Sequence, residues 1–163
     1  MKITAQEEYG LRCLLQLARA STGTGFTVKE IARLEGLSPA YVEKLLRLMG
    51  RVGLTQSVRG MKGGYLLARK PQEISLGAVV RALGKVESTS EICGRFTGQR
   101  DTCIHIDNCC IRSAWGALTE KIERFLESTF LSDLIGPEEK FQEKVTQRIA
   151  LGDTITKQSG FQK

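Results

Sequence analysis

The 163-residue chain holds one histidine, His105, and no apolar run of the roughly 18 residues that a membrane span needs. Its first residues do not resemble a cleavable leader, so the expected location is cytoplasmic and no membrane partner is expected. There is no Gly-rich phosphate loop, no paired-carboxylate pattern and no nucleophile placed with a base. These absences argue against an enzyme. The five cysteines contain no C-x2-C pair, which excludes the usual zinc ribbon or finger. Their odd number argues against a simple disulfide framework, and clustered thiols in a reducing compartment are more often metal-binding or redox-active. Acid is also missing from one long stretch. Between Lys44 and Gln72 there is no Asp or Glu, although the chain carries 18 acids against 24 Lys and Arg, a net charge of +6.

That acid-free stretch contains Lys44, Arg47, Arg51, Arg59, Lys62, Arg69 and Lys70. One-sided charge of this kind suits a polyanion. Hydropathy periodicity places it within a recognisable order of elements. Apolar positions 11, 14, 15 and 18 make a helical stripe over residues 6–20. Thr27 and Glu30 form a capping-box pattern, predicting a second helix from Val28 to about Glu35 that stops at Gly36. Ser38 and Pro39 then open a third helix. Its Val42, Leu45, Leu46 and Met49 face inward, leaving Ala40, Tyr41, Lys44 and Arg47 outside. Helix, glycine turn and capped helix is a helix-turn-helix, whose second helix enters the major groove N-terminus first. Two short strands, Leu54–Val58 and Tyr65–Ala68, follow, joined by RGMKGG. They form a hairpin whose glycines are expected to supply positive φ and whose tip carries Arg59 and Lys62. A basic hairpin at this place is a wing suited to a narrow minor groove. Ser75 caps a fourth helix that ends near Gly84.

Beyond this core, Cys93, Cys103, Cys109 and Cys110 fall in one Gly- and Asp-containing loop, about residues 86–108, and at the start of a long amphipathic segment. Three thiolates on a flexible loop suit a soft iron–sulfur centre. The fifth, Cys13, sits among leucines at helical spacing and is expected to be a buried small hydrophobe. Ile111, Trp115, Leu118, Ile122, Phe125 and Leu126 put one apolar face on a helix expected to reach Phe130. A second copy of the same helix is its expected partner, and a strap across its own domain is the alternative. The tail from Pro137 is charged and poorly periodic, and is expected to be peripheral or frayed.

Over about residues 1–135 the chain resembles the IscR/NsrR/CymR-type winged-helix bacterial transcription regulators. The resemblance rests on EYGLR near the start, LSPAYVEKLLRLM, SVRGMKGGYLLAR, and the run of Cys109, Arg112 and Trp115. It implies a mainly α fold with a small β-hairpin wing and a long dimerisation helix, acting as a homodimer on a dyad-symmetric double-stranded operator. Ser38, Tyr41, Lys44 and Arg47 on the recognition helix and Arg59 on the wing would be DNA contacts, with Lys62 beside them. The resemblance also places Cys93, Cys103 and Cys109 on the family's three cluster positions, Cys110 being the alternative to Cys109. For the fourth ligand, one branch uses a histidine where Arg112 stands here. Another uses a carboxylate from the partner's first helix, a position occupied here by Glu8, with His105 as the competing candidate. The cofactor so implied is an iron–sulfur cluster, [2Fe-2S] ahead of [4Fe-4S].

The expected organisation is a winged helix-turn-helix domain over 1–85, a cysteine-rich cluster loop over 86–108, a dimerisation helix over 109–135 and a tail over 136–163. Three functions are consistent with it. The first is a regulator, expected to be a repressor, whose operator affinity follows an iron–sulfur cluster sensing iron or cluster status, oxygen or nitric oxide. The second is a metal-free thiol-redox regulator. The third, of another class, is a redox or cluster-carrier protein docking an acidic partner.

Overall fold

Five helices in this protein begin where a side chain satisfies an unpaired backbone N–H. The computed structural model describes residues 3–20, 25–58, 63–84, 89–95 and 98–147. Helix α1 (Ala5–Arg19) starts one residue earlier than periodicity suggests, because Thr4 and Glu7 form a reciprocal capping box. The Thr4 N–H donates to Glu7 Oε2 at 2.7 Å and the Glu7 N–H to Thr4 Oγ1 at 3.3 Å. Helix α2 (Val28–Glu35) has the expected Thr27–Glu30 box and ends at Gly36, whose φ of 66° lies in the left-handed region that glycine tolerates. Helix α3 (Pro39–Arg51) opens on Ser38, with Pro39 in the first turn.

These three helices and α4 (Leu76–Leu83) enclose one core. Cys13, Leu14, Ile31, Val42, Leu45, Leu46, Met49, Leu54 and Ile74 are fully buried. Helix α1 packs on α3 and α4, and α2 packs on α3. Gly10 permits the α1–α4 approach, since a Cβ there would overlap the Leu83 side chain.

Strands β1 (Thr55–Val58) and β2 (Gly64–Leu67) pair antiparallel, with Thr55 opposite Leu67 and Val58 opposite Gly64. Each is offset from its expected bounds. Leu54 is buried in the core before the ladder begins, and the Ala68 N–H still reaches the Leu54 carbonyl at 3.0 Å. Phe26 adds an antiparallel bridge to Tyr65 through bonds of 3.1 and 2.8 Å. This bridge gives Gly64 a role other than positive φ. A Cβ at Gly64 would lie 2.6 Å from the Phe26 carbonyl oxygen, so glycine is required there by close approach. The resulting architecture, mainly α with a two-stranded wing, is a winged helix-turn-helix.

The cysteine loop is not wholly irregular: a short helix, α5 (Thr89–Gly94), carries Cys93 and packs against α6 (Cys110–Ser128). Helix α6 stops before Phe130 because Thr129 and Phe130 are extended and bonded to the start of α4. The Leu76 N–H donates to the Thr129 carbonyl, and the Leu131 N–H to the Ile74 carbonyl, both at 2.8 Å. Residues 138–147 of the tail are helical. Among the described residues no helix is long and apolar enough to cross a membrane.

Candidate nucleic-acid interface and cysteine loop

Helix α3 presents its outer face because its four apolar residues, Val42, Leu45, Leu46 and Met49, are consumed by the core. Ser38, exposed at its N-cap, accepts the Tyr41 N–H on Oγ at 3.3 Å, which leaves the hydroxyl proton available at the helix N-terminus. Lys44 and Arg47 are exposed. Tyr41 differs from the expected outward position: it is half-buried, its ring edge-on to Tyr9 at a centroid distance of 6.2 Å. An aromatic at this turn can pack on α1 and still show its hydroxyl to solvent. Arg47 is paired with Glu43 one turn back at 2.6 Å. The sequence carried that signal as an i, i+4 acid–base pair just before the acid-free stretch. Ala40, Glu43, Lys44, Arg47, Leu48 and Arg51 line an open groove along the helix.

Two of the remaining basic residues, Arg59 and Lys62, lie outside the described residues. Arg69, after β2, is bonded at the C-terminal end of α3: its Nε donates to the Gly53 carbonyl and its Nη2 to the Val52 carbonyl, both at 3.0 Å. Sequence reasoning counted it only as charge.

The cysteine loop joins this unit through α6. Cys13 is fully buried, and desolvation pushes its thiol up to about 12, as expected of a core residue. Cys93, Cys103, Cys109 and Cys110 are free, the first three half-buried and Cys110 exposed. Cys109 is the N-cap of α6, its Sγ accepting the Arg112 N–H at 3.3 Å. Arg112 also donates from Nη1 to the Ile106 carbonyl at 2.7 Å, closing the loop onto the helix start. His105 is exposed on that loop. Glu8, on the outer side of α1, is paired with Arg12 at 2.6 Å. Among the described residues no three of His, Cys, Asp and Glu are gathered tightly enough to hold a metal ion. The donor set nevertheless fits a soft iron centre by chemistry: three unpaired thiols bracket one loop, none locked in a disulfide.

At the far end of α6, Glu127 fastens the helix to α4. Its carboxylate accepts from the Ser75 hydroxyl at 3.0 Å and pairs with Arg81. The Arg81 hydrogen bond, with a smaller contribution from Ser75, holds the Glu127 carboxyl below the usual carboxylate range. The two residues are 46 positions apart, so no local pattern could reveal the pair.

Comparison with known proteins agrees with this geometry. Residues 3–137 match the family Rrf2, described as iron-dependent transcriptional regulator. The chain is 35% identical over 135 residues to protein rrf2 of Nitratidesulfovibrio vulgaris, covering 83% of this chain and 87% of the relative. It is 31% identical over 142 residues to the HTH-type transcriptional regulator NsrR of Halalkalibacterium halodurans, covering 87% and 95%. Among solved structures it is similar to CymR, the global cysteine regulator of B. subtilis, with a TM-score of 0.67, 28% identity, and coverage of 82% of this chain and 95% of that one. A capped recognition helix, a wing rooted on its C-terminal turn and a match across most of the chain lead to one conclusion: this protein belongs to the Rrf2 family of transcriptional regulators.

Proposed function

We propose that this protein is a homodimeric, operator-binding repressor whose affinity for DNA is set by an iron–sulfur cluster held at its cysteine loop. The observation that carries the reading is the continuity of the loop with the DNA-binding core. Cys109 caps α6, α6 ends on α4 through Glu127, and α4 packs on α1 and α3. Ser38, Tyr41, Lys44 and Arg47 would meet the major groove, with Arg59 and Lys62 of the wing beside them. Cys93, Cys103 and Cys109 would hold the cluster, with the partner subunit's Glu8 as fourth ligand. Such a centre supplies reversible reactivity toward oxygen or nitric oxide. The chain's own part is to translate an ordered or disordered loop into a different placement of α6 against α4. Only a difference in DNA affinity between those two states makes a switch.

Anaerobic purification followed by visible absorbance and iron and sulfide analysis tests this directly. Broad bands between about 320 and 460 nm, with iron and sulfide in matched amounts, are expected. A colourless protein that still binds duplex DNA would instead favour a thiol-redox regulator. That second reading has its own support in four free loop-region thiols, one of them exposed, and in the likeness to a cysteine regulator. A carrier protein docking an acidic partner is separated from both by duplex binding with a steep salt dependence and a sequence preference.

A further inference from the structure

Arg69 is the one described arginine of the acid-free stretch whose guanidinium bonds backbone carbonyls. Those carbonyls belong to Val52, the C-cap of α3, and to Gly53, which turns the chain at a φ of 70°. The last carbonyls of a helix lack intrahelical donors and sit at the negative end of its dipole, so a cation is favoured there. What distinguishes this cap is its origin. Arg69 comes from the chain leaving β2, and the same crossing carries the Ala68 N–H to Leu54 O bond. The C-terminus of the recognition helix and the exit of the wing are therefore clamped at two adjacent carbonyls.

We propose that Arg69 is a positioning residue for DNA binding: it fixes the wing relative to the recognition helix, so that both reach their grooves on one duplex, and it makes no phosphate contact itself. The proposal rests on the DNA-binding reading above. Its physical basis is the fork of the guanidinium. Bonds from Nε and Nη2 to two carbonyls define an orientation as well as a distance, whereas the ammonium of a lysine is a point charge on a flexible stem. At a phosphate contact lysine keeps the charge and with it the salt-dependent part of the affinity, but it cannot reproduce this two-point cap.

Binding of full-length, anaerobically purified protein to a fluorescent duplex, recovered by the wild type from a random-sequence pool, provides the test. Arg69→Lys and Arg69→Gln are each expected to weaken that duplex roughly five- to tenfold, the scale of the net worth of one ordinary hydrogen bond. Affinity for an unselected duplex, and its salt dependence, should hold. The loss caused by Arg59→Ala should shrink in the Arg69→Lys background, because a wing no longer held in register has less to lose. Thermal melts of the Arg69 variants are run alongside, and binding is compared well below the lowest midpoint. Wild-type affinity in Arg69→Lys, with Arg69→Gln weak on all sequences and its salt slope reduced by about one, would make Arg69 a phosphate contact and overturn the proposal. So would strictly additive losses with Arg59→Ala. If Arg59→Ala binds as the wild type, or the wild type recovers no duplex, the wing or the DNA reading itself fails, a result distinguishable from failure at Arg69 alone.

Discussion

Burial divides the five thiols into two chemical populations. Cys13 is sealed between α1 and its neighbours, and its thiol is pushed up from its ordinary 9.0 to about 12, mainly by desolvation. Native protein treated with a small alkylating reagent is thus expected to modify loop cysteines while Cys13 reacts only after denaturation, as read by peptide mass analysis. The same shift sets a pH dependence. Below pH 9.0 the thiol is protonated in both folded and unfolded chains and contributes no slope; between 9.0 and about 12 only the unfolded chain loses the proton. Stability therefore falls as pH rises through that window, by about 1.4 kcal/mol per unit at most. Cys13→Ala should flatten this alkaline slope in urea titrations at several pH values; an unchanged slope would mean that Cys13 is not its source. In the loop, Cys103→Ser is expected to abolish the visible chromophore of anaerobically isolated protein while thermal stability of the winged helix is kept, since Cys103 belongs to none of its core. A variant that stays coloured would refute the ligand set. Cys13 was legible in the sequence because helical periodicity alone predicts burial. The fates of Tyr41 and Arg69 were not, because each depends on a residue distant in the chain.

At the scale of elements, two joints hold the regulator together. One is the root of the wing, where Gly64 lies against Phe26; Gly64→Ala must displace β2 or the Phe26 bridge by the deficit of a 2.6 Å contact. The expected cost is about 1–3 kcal/mol of stability, the range for forcing atoms into a packed site. Urea unfolding checks it, and a change below the measurement error would show that the bridge yields freely. The other joint is between α6 and α4. Glu127→Gln removes the Arg81 ion pair but keeps a group able to accept from Ser75. Both side chains are about half exposed, so the loss of stability is expected to stay within about 1 kcal/mol. The direction with pH follows from the lowered Glu127 pKa: the contribution is present above the ordinary carboxylate value and disappears as pH falls through the lowered one. A wild type and a Glu127→Gln variant that converge in stability at low pH, and separate near neutrality, would bear this out. Capping signals and turn glycines made α2, α3 and α4 readable within a residue or so. The short α5 was not readable, because six residues carry too little periodicity to distinguish a helix from a loop.

Across the whole molecule, the apolar stripe of α6 is buried unevenly among the described residues. Leu126 is buried, whereas Ile111 is 66% and Trp115 47% exposed on the N-terminal half, next to Cys109 and Cys110. The C-terminal end of α6 is strapped onto α4, and among the described residues the N-terminal part of its apolar stripe is exposed. If a second α6 covers that stripe, Trp115→Glu should reduce the sedimenting mass from a dimer to one 18.0 kDa chain while the melting transition of the core remains. A dimer that persists would place the subunit contact elsewhere. Composition, periodicity and capping chemistry were enough to determine the winged helix, the basic outer face of α3 and the segregation of four thiols outside the core, because those properties reside in residues close together in sequence. Only the tertiary structure decided that Arg69 clamps the turn of α3, that Glu127 fastens α6 to α4 and that Tyr41 leans on Tyr9. Each of these joins side chains or backbone groups separated by many residues, and the distance between such groups is set by how the helices pack.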